Sequence, residues 1–241
     1  MRIALITGAS GVIGGACAKA LDEKGYALAL QYHDHPERAQ ALVKTLPEDT
    51  PVLLCHADIT RENDVTALFK AIEQRMGRVD LLVNCAGVAL PQKLLGEVSE
   101  AEMDRLYSVN VKGAMLLTKG AIPHMLKKEG GAIVHLSSMW GLTGGACEAV
   151  YSASKGALNG FVKAMAKELA PSHIRVNAVA PGLVPSPMNA SLHEEDLIVF
   201  QEETPLGKLI TPEQVADAVC YLAEAEMVTG QILSVDGGIV I

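Results

Sequence analysis

Seven short β-type runs alternate with longer helical patterns along all 241 residues, and that alternation leaves few folds open. The strand candidates are Ile3–Thr7, Ala27–Tyr32, Val52–His56, Leu81–Asn84, Ala132–Ser137, Arg175–Ala180 and Ile232–Val235. Between them lie helical stretches such as Gly14–Lys24, Glu37–Leu46, Glu62–Met76, Glu102–Lys128, Ser152–Ala170 and Pro212–Ala223. The pattern predicts an α/β fold, a parallel, doubly wound sheet of the Rossmann type, in a single domain over residues 1–241. Hydrophobic residues make up 49% of the chain but aromatics only 4%, so the apolar mass is Ala, Val, Leu and Ile. That suits parallel strands covered by helices on both faces. Two helix starts carry cap signals, Thr60 ahead of Glu62 and Asp64, and Thr211-Pro212-Glu213.

Charge and cysteine usage exclude several functions. The net charge is -8 and no basic cluster occurs, which argues against non-specific nucleic-acid binding. Cys17, Cys55, Cys85, Cys147 and Cys220 are scattered, with no CxxC pair. They read as reduced thiols of a cytoplasmic protein rather than as a disulfide framework or a metal site. Met1-Arg2-Ile3 runs straight into a strand pattern, so no signal peptide is expected, and no apolar run is long enough for a membrane span. Pro and Gly gather between Pro181 and Pro187 and again at Thr204-Pro205-Leu206-Gly207. The segment they bracket, Ser186 to Glu203, breaks the alternation. A mobile substrate lid around residues 183–210 is the expectation there.

The first strand ends in Thr7-Gly8-Ala9-Ser10-Gly11-Val12-Ile13-Gly14 and opens a helix. Small residues at this place let backbone N–H groups approach a pyrophosphate at the helix N-terminus. Ala57-Asp58-Ile59 follows the third strand and Asn84-Cys85-Ala86-Gly87 the fourth. Alone, Asp58 reads as a helix-capping loop residue and the Asn84 segment as a turn. Tyr151-Ser152-Ala153-Ser154-Lys155 begins a long helical pattern, where i and i+4 share a face and bring Lys155 beside Tyr151. A positive charge there favours phenolate over phenol. By itself the pair is also compatible with a half-buried Tyr and a surface Lys. Ser138 stands upstream, at the end of the strand Ala132–Ser137, and Asn110 lies in Ser108-Val109-Asn110-Val111.

Taken in register, these motifs resemble the short-chain dehydrogenase/reductase family, single-domain branch, over almost the entire chain. The glycine loop departs from the family's TGxxxGxG pattern, with Val12 where a Gly is wanted and Gly11 one place earlier. The resemblance implies hydride transfer between a nicotinamide and a carbonyl or alcohol carbon. It assigns Tyr151 as the acid/base, Ser138 rather than Ser137 as the group that positions the substrate oxygen, and Lys155 as the residue that tunes Tyr151 and grips the ribose. Asn110 is the fourth catalytic residue, steadying a water that links Lys155 to bulk solvent. It implies cofactor contacts from Gly8, Ser10, Gly11, Val12, Ile13 and Gly14. Further contacts come from Tyr32, from Asp58 and Ile59 at the adenine, from Asn84, Ala86 and Gly87, from Tyr151 and Lys155, and from Pro181, Gly182 and Val184. An acid that would mark NAD is absent from the tip of the second strand, where Tyr32 stands, with Asp34 two residues beyond. NADP(H) is therefore expected, met by His33, His35 or Arg38, with NAD(H) as the alternative.

In size and plan the chain is similar to 3-oxoacyl-(acyl-carrier-protein) reductases and general ketone reductases. The lysine pair Lys127-Lys128 is the basic feature that a carrier protein would use. Ser138-Met139-Trp140, Ala146-Cys147-Glu148 and Met188-Asn189 also resemble reductases of a 5-aminopentanone group on elongation factor P. On that reading Trp140, Glu148 and Met188 face the substrate, and an aromatic ring with a carboxylate selects a cation. The plainer alternative is a packing Trp and a solvent-facing Glu. A non-catalytic redox sensor that only binds dinucleotide is the third reading. The resemblance further implies a homotetramer built on the two long helices, which are apolar on more than one face.

Overall fold

The computed structural model describes residues 1–189 and 192–241. Its sheet contains β1 (Arg2–Thr7), β2 (Tyr26–Tyr32), β3 (Val52–His56), β4 (Leu81–Asn84), β5 (Gly131–Leu136), β6 (Ile174–Pro181) and β7 (Ile232–Val235). All pairings are parallel, in the order β3-β2-β1-β4-β5-β6-β7. The expected doubly wound sheet is present. The chain winds outward from β1 to β3, then restarts on the other side of β1 with β4. That reversal opens a crevice at the C-terminal ends of β1 and β4, where ligands of such sheets bind.

The helices are α1 (Val12–Glu23), α2 (Pro36–Val43), α3 (Glu62–Arg75), α4 (Glu100–Tyr107), α5 (Ala114–Leu126), α6 (Trp140–Thr143), α7 (Ala149–Leu169), α8 (Glu194–Glu203) and α9 (Pro212–Glu224). Strand side chains alternate between two cores. Ala4, Ile6, Leu28, Leu30, Val83 and Val134 pack against Leu21 of α1 and Val219 of α9. Leu5, Ala29, Leu82 and Ile133 pack with Phe69 of α3, Leu117 of α5 and Val162 of α7. Each sheet face is thus sealed by its own helices, and function is left to the sheet's upper edge.

Two local expectations need correction. The stretch Glu102–Lys128 is not one regular helix: residues Ser108–Gly113 between α4 and α5 form a π-helical segment. The side chain of Asn110 is taken up outside the helix, donating to the Val88 carbonyl and accepting from the Val88 N–H, both at 2.9 Å. Thr60 does not cap α3; its hydroxyl donates to Asp58 Oδ1 at 2.7 Å, and Arg61 occupies the cap position without a side-chain bond. Thr211 does cap α9, in a reciprocal box with Gln214. Within the expected lid lie a 3₁₀ turn, Pro187–Asn189, and α8; residues 190 and 191 of that segment lie outside the described residues.

Candidate active site

A cavity of about 810 Å³ opens above the C-terminal ends of β1, β4, β5 and β6. One end is built by the turn after β1. Gly8 has φ of +63°, and a Cβ there would sit 2.9 Å from the Ala86 backbone. A Cβ on Gly14 would meet the Gly8 carbonyl at 2.4 Å. The turn is pinned from beneath by Gln31, whose Oε1 accepts from the Gly8 N–H at 3.0 Å while its Nε2 donates to the Ala57 carbonyl at 2.7 Å. Gly11 caps α1 without a side-chain bond, and the first turn carries no acid. The N–H groups at Val12, Ile13 and Gly14 therefore open on the cavity, an arrangement that fits a diphosphate. Val12 is accommodated because its side chain is exposed, at 38%.

The opposite end is set by β5 and α7. Beyond the last β5 residue, Ser137 donates its hydroxyl to Asn159 at 2.6 Å and is consumed. Ser138 Oγ accepts from the Trp140 N–H at 3.2 Å, which leaves its own proton available. Tyr151 and Lys155 lie on one face of α7, with Lys155 Nζ 5.6 Å from the Tyr151 ring centre. Lys155 is buried and donates to the Leu136 carbonyl at 2.7 Å. Asn110 reaches Ser154 Oγ at 3.2 Å, and Ser154 in turn donates to the Tyr151 carbonyl, so the π segment braces the first turns of α7.

The electrostatics differ from the simple expectation that Lys155 holds Tyr151 as phenolate. Burial pushes the Tyr151 hydroxyl up to about 12; Ser138 pulls against this and the Glu148 carboxylate adds to it. Burial pulls the Lys155 ammonium down to about 8. In this geometry desolvation dominates at both groups, and Tyr151 is a phenol at neutral pH.

The three residues expected to face a substrate lie together. Trp140, Glu148 and Met188 line the cavity together. A Cβ on Gly145 would come within 2.8 Å of the Trp140 ring, and Phe200 of α8 meets that ring edge-on at 6.5 Å. Glu148 is partly buried, and desolvation raises its carboxyl above the usual range against an opposing hydrogen bond from Gln92. Of the expected cofactor residues, Gly8, Ser10, Gly11, Val12, Ile13, Gly14, Gly87, Tyr151, Pro181, Gly182 and Val184 line the cavity. Tyr32, Asp58, Ile59, Asn84 and Ala86 do not line it, and neither do Asn110 and Lys155, which stand behind Gly87. Tyr32 is turned against His56, and Asp58 is engaged by Thr60 and Arg61. Asn84 is buried, with its amide oxygen engaged by Thr7 and its amide nitrogen by His135. His35 and Arg38 lie on the cavity beside the glycine turn, while Asp34 faces His33. Gln31, Gln92 and Phe200 carry no sequence signal, because each matters only through a partner distant in the chain.

The depressed Lys155 ammonium has a consequence for stability. Its folded value lies below its unfolded one, so the folded chain carries the full cost of a buried charge below about pH 8. That cost fades as pH rises further toward the ordinary lysine range. Lys155→Met removes a penalty on the order of 3 kcal/mol and leaves one carbonyl without its donor, so a net gain of about 1–2 kcal/mol is expected at pH 7. Urea unfolding of the ligand-free protein at pH 7 and pH 10 checks this; the gain should shrink at the higher pH.

The chain matches, over residues 8–240, the family described as enoyl-(acyl carrier protein) reductase. It is 40% identical over 238 residues to carbonyl reductase family member 4 of Danio rerio, covering 99% of this chain and 98% of that protein. The same identity and coverages relate it to the 3-oxoacyl-(acyl-carrier-protein) reductase of Homo sapiens. It superposes with a TM-score of 0.93 on the crystal structure of 3-ketoacyl-(acyl-carrier-protein) reductase from Brucella melitensis complexed with NADH, at 32% identity, covering 100% of this chain and 98% of that one. With the sheet order, the glycine turn and the Ser138–Tyr151–Lys155 grouping in place, the conclusion is direct: the chain belongs to the short-chain dehydrogenase/reductase family of nicotinamide-dependent oxidoreductases.

Proposed function

We propose that the chain reduces a ketone to an alcohol with NADPH, with 3-oxoacyl thioesters as the substrate class. The observation that carries this reading is geometric: Tyr151 lies beside Ser138 at the end of the cavity, with Lys155 Nζ 5.6 Å from its ring centre. When bound, the nicotinamide supplies the hydride. Ser138 donates a hydrogen bond to the substrate carbonyl oxygen, and the Tyr151 proton passes to that oxygen as its negative charge develops. The Lys155 cation near the ring eases the phenolate that remains. Asn110 steadies Lys155 and α7 through Val88 and Ser154. Leu90, Leu183, Met188 and Phe200 give the substrate end an apolar lining suited to an acyl chain. Relatives named as acyl-carrier-protein reductases favour the thioester. On this chain, however, Lys128 is paired with Asp80 and Lys127 lies near Glu73. Both precede β5, at the sheet edge opposite the cavity, and do not frame its mouth. The catalytic grouping weighs against a sensor without chemistry. The homotetramer that the family resemblance implies would cover Tyr107 and Met115, which are exposed on the α4–α5 side.

Tyr151→Phe should leave dinucleotide binding intact and lower turnover of acetoacetyl thioesters by on the order of 10²-fold or more. Stopped-flow oxidation of NADPH checks it, and near-normal turnover would defeat the mechanism. For the 2′-phosphate, Arg38 and His35 are better placed than Tyr32. Arg38→Ala should raise KM for NADPH by about 10-fold or more, the worth of a charge-assisted hydrogen bond, and leave KM for NADH nearly unchanged. Equal shifts for both cofactors would remove the basis for NADP preference.

A second reading, an amine-bearing ketone such as an aminopentanone side chain, is favoured by the desolvated Glu148 carboxylate against Trp140. Glu148→Gln keeps the shape and removes the charge. It should raise KM for an amine-bearing ketone by about 10-fold and leave neutral ketones unaffected. Parallel kinetics on the two substrate types decide between the readings, and equal kinetics would leave the thioester reading alone.

A further inference from the structure

His135 has no place in the chemistry above, yet it is fully buried at the centre of the sheet. Thr7, Asn84 and His135 are register partners on β1, β4 and β5. The edge of the Phe161 ring on α7 walls the imidazole at 6.0 Å. An unbroken line of hydrogen bonds runs through these side chains. The Ala86 N–H donates to Thr7 Oγ1 at 3.4 Å, and the Thr7 hydroxyl donates to Asn84 Oδ1 at 2.7 Å. Asn84 Nδ2 lies 3.2 Å from His135 Nδ1, and His135 Nε2 lies 3.2 Å from Thr118 Oγ1. The Thr118 hydroxyl donates to the Ala114 carbonyl at 2.9 Å.

The two ends set the direction of every bond between them. A main-chain N–H only donates and a carbonyl only accepts. Asn84 uses its oxygen for Thr7, so its amide nitrogen must donate to Nδ1. Thr118 spends its proton on Ala114, so it must accept from Nε2. The ring is therefore neutral, with hydrogen on Nε2 and a lone pair on Nδ1. A second proton would face the Asn84 amide N–H. Burial, aided by the Lys155 charge, also pulls the imidazole down to about 3.

The line joins places that matter to the cavity. Thr7 precedes the Gly8 turn, and Asn84 precedes Cys85-Ala86-Gly87. These two turns are in contact, since Gly8 has no room for a Cβ against Ala86. Ala114 begins α5, directly after the π segment that carries Asn110. We propose that His135 is a positioning residue for the dinucleotide: a neutral imidazole of fixed tautomer that locks Asn84 and Thr7, and so keeps the two turns closed at the cofactor end of the cavity. This rests on the dinucleotide occupying that end.

The test begins with NADPH titration of the wild-type protein by fluorescence. Failure of the wild type to bind would overturn the reading of the cavity, and this role with it. Given binding, His135→Phe should raise Kd and KM for NADPH by about 10-fold, the worth of a buried hydrogen bond or two, with kcat within about 2-fold. His135→Gln, which again offers an acceptor and a donor, should recover most of the affinity. Nitrogen NMR of the ¹⁵N-imidazole-labelled wild type should show hydrogen on Nε2, unchanged between about pH 5.5 and 8.5, well above a buried imidazole's depressed range. Wild-type affinity in folded His135→Phe, an Nδ1–H ring, or titration in that range would each overturn the proposal. Should His135→Phe fail to fold, Thr118→Val serves: it removes only the partner of Nε2, and an unchanged KM for NADPH together with an unchanged ring spectrum would be equally fatal.

Discussion

The contact between the turns that follow β1 and β4 is the constraint from which the ligand face is built. These strands are neighbours only because the winding reverses between them, and each must end at the same height for a crevice to form. Gly8 in a left-handed conformation brings the first turn onto the Ala86 backbone, and Gln31 on β2 fixes its N–H. With that turn held, α1 starts at Val12 with its amides on the cavity. The residues proposed for the chemistry, Ser138 and Tyr151, sit on the other side of the same crevice, at the ends of β5 and α7. Their distance from the dinucleotide end is fixed by sheet register, which no surface loop can shift.

Between these two ends the protein handles desolvation unevenly. The phosphate end presents backbone amides and helix polarity, which cost little to bury because they stay hydrogen-bonded or open to the cavity. The chemical end concentrates groups that burial disfavours in their charged forms. Tyr151 is pushed up, Lys155 down and Glu148 up. Perturbation of three neighbouring groups by one shared cause agrees with the proposal that protons move at this end of the cavity.

Much of this was legible in the sequence, and the reasons are local. The strands announce themselves because parallel strands buried on both faces read as short apolar runs. The glycine turn is legible because Gly8 and Gly14 have no tolerable substitute at their contacts. Tyr151 and Lys155 are legible because four residues is one helical turn. What stayed hidden depends on partners far along the chain. The π segment arises from Asn110 reaching Val88, and nothing in Ser108–Gly113 alone signals it. Asn84 matches a cofactor motif, yet its side chain is spent inside the sheet, because its neighbours in register are Thr7 and His135. The direction of the Tyr151 shift was equally hidden: spacing shows that a lysine is near, but not that burial wins.

His135 and Lys155 show how one interior can treat two basic side chains in opposite ways. Both are buried and close enough for the lysine charge to act on the imidazole. The imidazole meets burial by giving up its charge. Neutral, it still offers one donor and one acceptor, and both are satisfied within hydrogen-bonding distance. The lysine has no such option, since a neutral amine beside Tyr151 cannot ease a phenolate. Among the described residues its one hydrogen-bond partner is the Leu136 carbonyl, and burial pulls its ammonium down to about 8. A group held that near to losing its charge is poorly stabilised by its surroundings. The interior therefore completes the hydrogen bonding of the basic side chain it holds neutral, and among the described residues gives the one it holds charged a carbonyl alone.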